Sequence, residues 1–158
     1  MSLDDEQFLR QAIALALEGM ERGDGGPFGC VIVKDGRVVG QGNNRVLSSN
    51  DPTAHAEVVA IRAACSGLGS FQLEGCTLYT SCEPCPMCLG AIYWARPDRV
   101  VFAATRHDAA SAGFDDSLIY DELPLPHTQR RVRTEQALRD EARELFDRWN
   151  AKEDKVRY

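Results

Sequence analysis

Leu9, Ala12, Ile13, Ala16, Leu17 and Met20 recur at helical spacing, which predicts an amphipathic helix with one stripe packed on a core. Ser2-Leu3-Asp4-Asp5 supplies its start, with acids in the first turn, and residues 23–27 end it. Over residues 28–33 the pattern changes to alternation rich in β-branched side chains, and Asp35-Gly36 is a two-residue hairpin signal leading into Val38-Val39. A polar loop over residues 42–53 carries Asn43, Asn44 and Asn50. Within it, Asp51-Pro52 reads as the cap and first turn of a helix whose buried face continues through Val58, Ile61 and Cys65. Residues 76–80 read as a strand, a helix opens at Pro84 or Cys85 and runs to about Trp94, and residues 99–104 read as a further strand. Residues 134–152 predict an amphipathic helix with Leu138, Ala142, Leu145, Phe146 and Trp149 on one side. This rhythm of strands and helices predicts an α/β fold, its sheet covered by helices and mostly parallel after the initial hairpin.

Composition narrows the partners. A chain of 158 residues, 44% hydrophobic and 27% charged, is expected to form one domain that buries its own core without staples. A net charge of −6 with a pI near 5.1 argues against a polyanion as main partner, because phosphate binding needs a basic surface. Acids and bases nearly balance after Thr134, as on a solvated helix face, and Arg130, Arg131 and Arg133 form the one basic cluster. No apolar run approaches the roughly 18 residues of a membrane helix, and the first six residues are acidic rather than signal-like. Six cysteines without a leader then predict reduced thiols in the cytoplasm. Cys30, Cys65 and Cys76 lack partner spacing and read as small buried hydrophobes.

The chemistry concentrates in Tyr79-Thr80-Ser81-Cys82-Glu83-Pro84-Cys85-Pro86-Met87-Cys88, read together with His55-Ala56-Glu57 upstream. Two thiols separated by two residues grip one tetrahedral metal ion, and an imidazole from elsewhere is a third ligand. Three protein ligands leave a fourth position open for a water whose pKa falls to about 7. Glu57 is placed to serve as proton carrier to that water. H-x-E followed by P-C-x-x-C is the zinc-deaminase signature, in which an amino-bearing ring carbon is attacked. Each half alone is weak; the two in this order are specific.

One reading competes with this one, and two loops stay open. Cys82 also stands three before Cys85, so His55, Cys82, Cys85 and Cys88 are candidates for a closed Cys₃His structural zinc, although such a site has no use for Glu57. The Gly25-Gly26-Pro27-Phe28-Gly29 junction is either a tight helix-to-strand turn or a place where backbone approaches something closely. Gly113-Phe114-Asp115-Asp116 is either a loop carrying a functional acid or a solvated turn, and His107 reads as a surface residue.

Asn50-Asp51-Pro52-Thr53-Ala54-His55-Ala56-Glu57 and the segment from Thr80 to Arg96 resemble the cytidine and deoxycytidylate deaminase superfamily, and within it the bacterial guanine deaminase branch. The likeness extends to Gly26-Pro27-Phe28-Gly29, Asn44, Ala91-Ile92-Tyr93-Trp94-Ala95-Arg96, Gly113-Phe114-Asp115-Asp116 and the terminal tyrosine. It implies a three-layer α/β/α sandwich with a five-stranded mixed sheet, one zinc on His55, Cys85 and Cys88, and Glu57 as proton shuttle. It further implies that Asn44 and Asp116 contact a purine base or help the leaving ammonia. Ala56, Phe28 and Trp94 then border the substrate, the two aromatics shaping an apolar slot. The resemblance also implies a homodimer in which the C-terminal segment, about residues 124–158, crosses to the partner so that Tyr158 completes the neighbour's pocket. The expected reaction is hydrolysis of guanine to xanthine and ammonia. Other amino-substituted rings (cytosine, adenine, an aminotriazine) stay open as substrates, and tRNA adenosine deaminases share the D-P-T-A-H-A-E core. A tRNA substrate would need a basic groove, and a zinc-stabilised binding module would need neither Glu57 nor an open position.

Overall fold

The computed structural model describes residues 2–158, which divide into two compact units, residues 2–116 and 117–158. Helix α1 (Leu3–Glu21) begins as its sequence predicts: the Ser2 hydroxyl accepts from the Asp5 N–H, and the Asp5 carboxylate accepts from the Ser2 N–H. Strands β1 (Gly29–Lys34) and β2 (Arg37–Asn43) form the expected antiparallel hairpin. Asp35 and Gly36 between them both have positive φ, the conformation of the two-residue turn that matches strand twist. A four-residue helix α2 (Val46–Ser49) interrupts the polar loop, and α3 (Ala56–Leu68) follows. Then come β3 (Cys76–Cys82), α4 (Pro86–Ala95), β4 (Arg99–Ala104) and α5 (Arg106–Ser111).

Alternation along β1 sorts its side chains onto two faces. Val31 and Val33 pack with Leu9 and Ala12 of α1, while Cys30 and Ile32 pack with Ala56, Ala60 and Ala64 of α3 and Ile92 and Ala95 of α4. Helices therefore cover both faces of the sheet. Small residues bring α3 close: a Cβ on Gly40 would fall 2.6 Å from that of Ala64, and one on Gly42 would fall 2.8 Å from the Ala56 carbonyl. This close approach holds the first turn of α3, where the chemistry lies, against the end of β2.

Three expectations are corrected. Among the described residues the sheet has four strands in the order β2-β1-β3-β4, not five. After β4 the chain enters short helices, α5 and then α6 (Ser117–Glu122), and no later segment pairs with the sheet. Nor is the sheet mostly parallel: α3 returns the chain beside β1 in the antiparallel sense, and only the β3-α4-β4 crossover is parallel. The helix expected to open at Asp51-Pro52 begins at Ala56, because Asp51 Oδ1 accepts from the Thr53 N–H and hydroxyl (2.8 and 2.7 Å) and closes a turn of its own.

In the second unit, α6 is followed by a single 3₁₀ turn at His127–Gln129 and by α7 (Arg139–Ala151), which starts later than its periodicity predicts, after Leu138 in a left-handed conformation. The basic cluster is used locally. The Arg130 guanidinium donates to the carbonyls of Leu123 and Leu125, the Arg131 N–H donates to Glu122, and Arg133 pairs with Glu135.

Candidate active site

Two helix starts supply the three expected ligands. His55 is the N-cap of α3 and Cys85 the N-cap of α4, both with extended backbone, and neither side chain caps its own helix. Pro86 follows Cys85 in the first helical turn, where its missing N–H costs nothing and its fixed φ suits the helix. That turn brings Cys88 back beside Cys85.

The ligand atoms converge. His55 Nδ1 lies 3.5 Å from Cys85 Sγ and 3.4 Å from Cys88 Sγ. Zinc bonds of about 2.3 Å to sulfur and 2.1 Å to nitrogen, at a tetrahedral angle, require an N···S separation of about 3.6 Å. The set therefore fits zinc with little movement. Among the described residues these three form the one group of His, Cys, Asp or Glu side chains close enough to share a metal, within 4.8 Å of one another.

The closed four-ligand alternative is not built. The Cys82 thiol points to the Thr105 carbonyl (3.6 Å) and is not among the three side chains whose ligand atoms converge; burial pushes its pKa up to about 11. Cys85 goes the other way, down to about 4, stabilised by hydrogen bonds from the Cys88 thiol and His55. Cys88 is pushed up, because it holds the proton in its bond to Cys85 and is buried. Thiolate ligation of zinc releases the protons its sulfur ligands hold. All six cysteines are free.

Glu57 occupies the second helical position of α3, buried beside the ligands, and desolvation raises its pKa. The Thr80 hydroxyl of β3 donates to its Oε1 at 3.4 Å. Residues two apart in a helix interior face away from each other, but with His55 at the cap and Glu57 in the first turn both serve one point at the open end. Ala56 between them is fully buried.

Asn44 is buried where β2 leaves the sheet; its Oδ1 accepts from the Val46 N–H, and its backbone N–H donates to the Phe28 carbonyl. A Cβ on Gly25 would fall 2.1 Å from Asn44 Oδ1, so the glycine junction is a place of close approach as well as a turn. Phe28 meets Phe114 edge to face, ring centroids 4.9 Å apart, which closes the loop carrying Asp116 onto the glycine junction. Asp116 is half-buried; desolvation raises its pKa, Cys85 raises it further and Arg106 offsets part of the effect. His107 is exposed, as predicted. Trp94 lies near the end of α4 and is 66% exposed, while Tyr158 ends the second unit at 70% exposed.

Two residues escape a sequence reading. Thr80 is one more inward position on a strand, and Phe114 one more aromatic in a polar loop. Nothing local marks either as a partner of Glu57 or Phe28.

Comparison with known proteins agrees with this geometry. The model of the cytidine and deoxycytidylate deaminase zinc-binding region matches residues 2–104. The chain is 55% identical to a guanine deaminase of Bacillus subtilis over 156 residues, covering 99% of this chain and all of that protein. The crystal structure of the Bacillus subtilis guanine deaminase superposes with a TM-score of 0.95 over the whole chain and 99% of that one. A tRNA-specific adenosine deaminase of Aquifex aeolicus is 40% identical over 143 residues, 89% of this chain and 90% of that protein. A guanine deaminase structure from Nitrosomonas europaea matches at 31% identity and a TM-score of 0.65, over 77% of this chain and 66% of that one.

Proposed function

Because the chain belongs to the cytidine and deoxycytidylate deaminase family, we propose that it is a zinc-dependent enzyme hydrolysing guanine to xanthine and ammonia. The observation that carries the reading is the open three-ligand set of His55, Cys85 and Cys88 with buried Glu57 beside it. The choice of guanine rests on likeness to a guanine deaminase along the entire chain, the C-terminal unit included.

His55, Cys85 and Cys88 would hold the zinc, which would supply a water with its pKa lowered to about 7. Glu57 takes one proton of the attacking water and passes it to ring N3 as C2 becomes tetrahedral; it then takes the remaining proton from the C2 hydroxyl and delivers it to the amine, which leaves as ammonia as C2=O forms. A carboxyl whose pKa is raised by burial suits both directions of transfer. The Thr80 hydroxyl holds its orientation. Asn44, Asp116 and the Ala56 N–H at the helix start match the polar ring edges, since a buried unpaired donor or acceptor costs about 1–3 kcal/mol. Asp116 also assists the leaving ammonia. Phe28, backed by Phe114, forms one apolar wall, and Trp94 is the second candidate for that slot.

The same reading makes the enzyme a homodimer in which residues 124–158 are exchanged and Tyr158 enters the partner's site. Supporting it, Leu145, Phe146, Trp149 and Val156 of the C-terminal unit and Leu89 and Tyr93 of α4 are exposed, more apolar surface than a monomer ordinarily leaves bare. No helix among the described residues is long and apolar enough to cross a membrane.

Ammonia release measured across guanine, cytosine, adenine, an aminotriazine and an adenosine-bearing tRNA stem-loop tests the substrate. Guanine is expected to be fastest. A tRNA substrate outcompeting free bases, with rates falling steeply as salt rises, overturns the choice.

A further inference from the structure

The mechanism leaves one charged residue of the cysteine cluster without work. Glu83 stands between Cys82, where β3 ends, and Pro84, which leads directly into the ligand Cys85. Its backbone N–H donates to the Ala104 carbonyl at 2.8 Å, one step beyond the last registered pair of the parallel ladder, Cys82 with Ala104. Its carboxylate Oε2 accepts the Arg106 N–H at 2.9 Å. With the Cys82 thiol on the Thr105 carbonyl, three consecutive acceptors and donors of residues 104–106 are tied to Cys82 and Glu83.

The bond to Arg106 has a particular place. Thr105 is the N-cap of α5, and its side chain and that of Asp108 already satisfy each other's N–H in a capping box. Arg106 is the first helical residue, whose N–H has no partner within the helix. Glu83 supplies one from the opposite loop. From α5 the chain turns at Gly113 (φ +93°), the Phe114 N–H bonds back to the Ala109 carbonyl, Phe114 packs on Phe28, and Asp116 follows. One carboxylate therefore joins the loop that leads into Cys85 to the short helix from which the chain runs on to Asp116.

We propose that Glu83 is a positioning residue of the zinc site, its carboxylate holding the Cys85 loop and the Asp116 segment at a fixed spacing through the Arg106 N–H. It acts as a hydrogen-bond acceptor, and its charge is not required. The proposal rests on the zinc-deaminase reading above. Partners one shell out from a metal typically contribute 10- to 100-fold in metal affinity or activity.

Two pairs of variants isolate the bond. Glu83→Ala removes the acceptor, whereas Glu83→Gln retains one. Arg106→Ala removes a side chain and keeps the N–H, whereas Arg106→Pro removes both. Proline is suited to this first helical position, and the extended Thr105 before it (φ −88°, ψ 164°) is the conformation a following proline requires. Zinc affinity by competition with a chromophoric chelator, kcat and KM for guanine, and thermal unfolding are measured for each.

The expected result is a loss of about 10- to 100-fold in zinc affinity or kcat for Glu83→Ala, with Glu83→Gln within a few-fold of wild type. Arg106→Pro should fall below Arg106→Ala by a similar factor. Adding Glu83→Ala to Arg106→Pro should then cost nothing more. A folded Glu83→Ala within about twofold of wild type in zinc affinity and kcat overturns the proposal. So does a drop in Tm with both quantities unchanged at 25 °C, or an Arg106→Pro equal to Arg106→Ala. If Glu83→Ala does not fold, the Arg106 pair decides by itself. A wild-type chain that neither binds zinc nor deaminates guanine overturns the deaminase reading instead, a result distinguishable from insensitivity of the variants.

Discussion

The Thr80 hydroxyl lies 3.4 Å from Oε1 of Glu57, so a residue of β3 orients a carboxylate in the first turn of α3. Both are buried. One side chain held in this way can serve successive proton transfers at neighbouring atoms.

Glu57→Gln should therefore keep its zinc and its fold and lose nearly all turnover, because an amide cannot carry protons. A general acid–base residue contributes about 10² to 10⁴ in rate, and one used for several transfers should reach the upper end. Steady-state xanthine formation, alongside metal analysis, checks this; near-normal turnover in the zinc-replete variant would sink the mechanism.

Cys82 and Cys88 make opposite predictions. Cys88→Ala removes a ligand and should leave about one zinc per chain unbound, whereas Cys82→Ala should retain it, since the Cys82 thiol serves the Thr105 carbonyl. Zinc stoichiometry after dialysis separates the two. Equal loss from both would restore the closed arrangement of three cysteines and one histidine.

Asp5 governs a pH dependence on the far face of the sheet. Arg99 holds its carboxylate in a two-pronged pair (2.8 and 3.0 Å), with the Ser2 N–H and the Tyr79 hydroxyl adding bonds, so its pKa falls well below the usual carboxylate range. A depressed folded-state pKa stabilises the fold above the unfolded value of about 3.9, and that contribution fades as pH drops toward the folded value. Urea unfolding should show Asp5→Asn less stable than wild type at pH 7, with the gap closing below about pH 4. Both proteins lose zinc in acid alike, so the difference between them reports on Asp5. A gap that widens on acidification contradicts the assignment.

The tail prediction concerns subunit exchange. Removing residues 156–158 should leave Tm and zinc content nearly unchanged while substrate affinity or turnover falls sharply. Mixing inactive Glu57→Gln chains with inactive tail-deleted chains, under conditions of subunit exchange, should restore part of the activity, the working site combining an intact Glu57 with a Tyr158 from the other chain. No recovery in demonstrated heterodimers would place the action of the tail in its own subunit, or nowhere.

Much of the site is legible because its signals are short-range. H-x-E and P-C-x-x-C mark the candidate ligands and the candidate proton carrier by residue type and spacing. Asp35-Gly36 specifies its turn through the φ values those two residues tolerate, and the stripe on α1 repeats every turn. Each depends on neighbours a few positions away, which is what a sequence displays.

Tertiary structure decided the rest, since it depends on pairs far apart in the chain. Cys82 and Cys88 look alike in sequence, and only the Thr105 carbonyl, beyond the end of β4 where it pairs with β3, sets Cys82 apart from the three converging side chains. Asp5 reads as a helix-capping acid until Tyr79 and Arg99, 74 and 94 residues away, close on it. Strand direction escapes the sequence for the same reason: alternation reports that a segment is a strand, but its edge hydrogen bonds are made to residues far away in the chain.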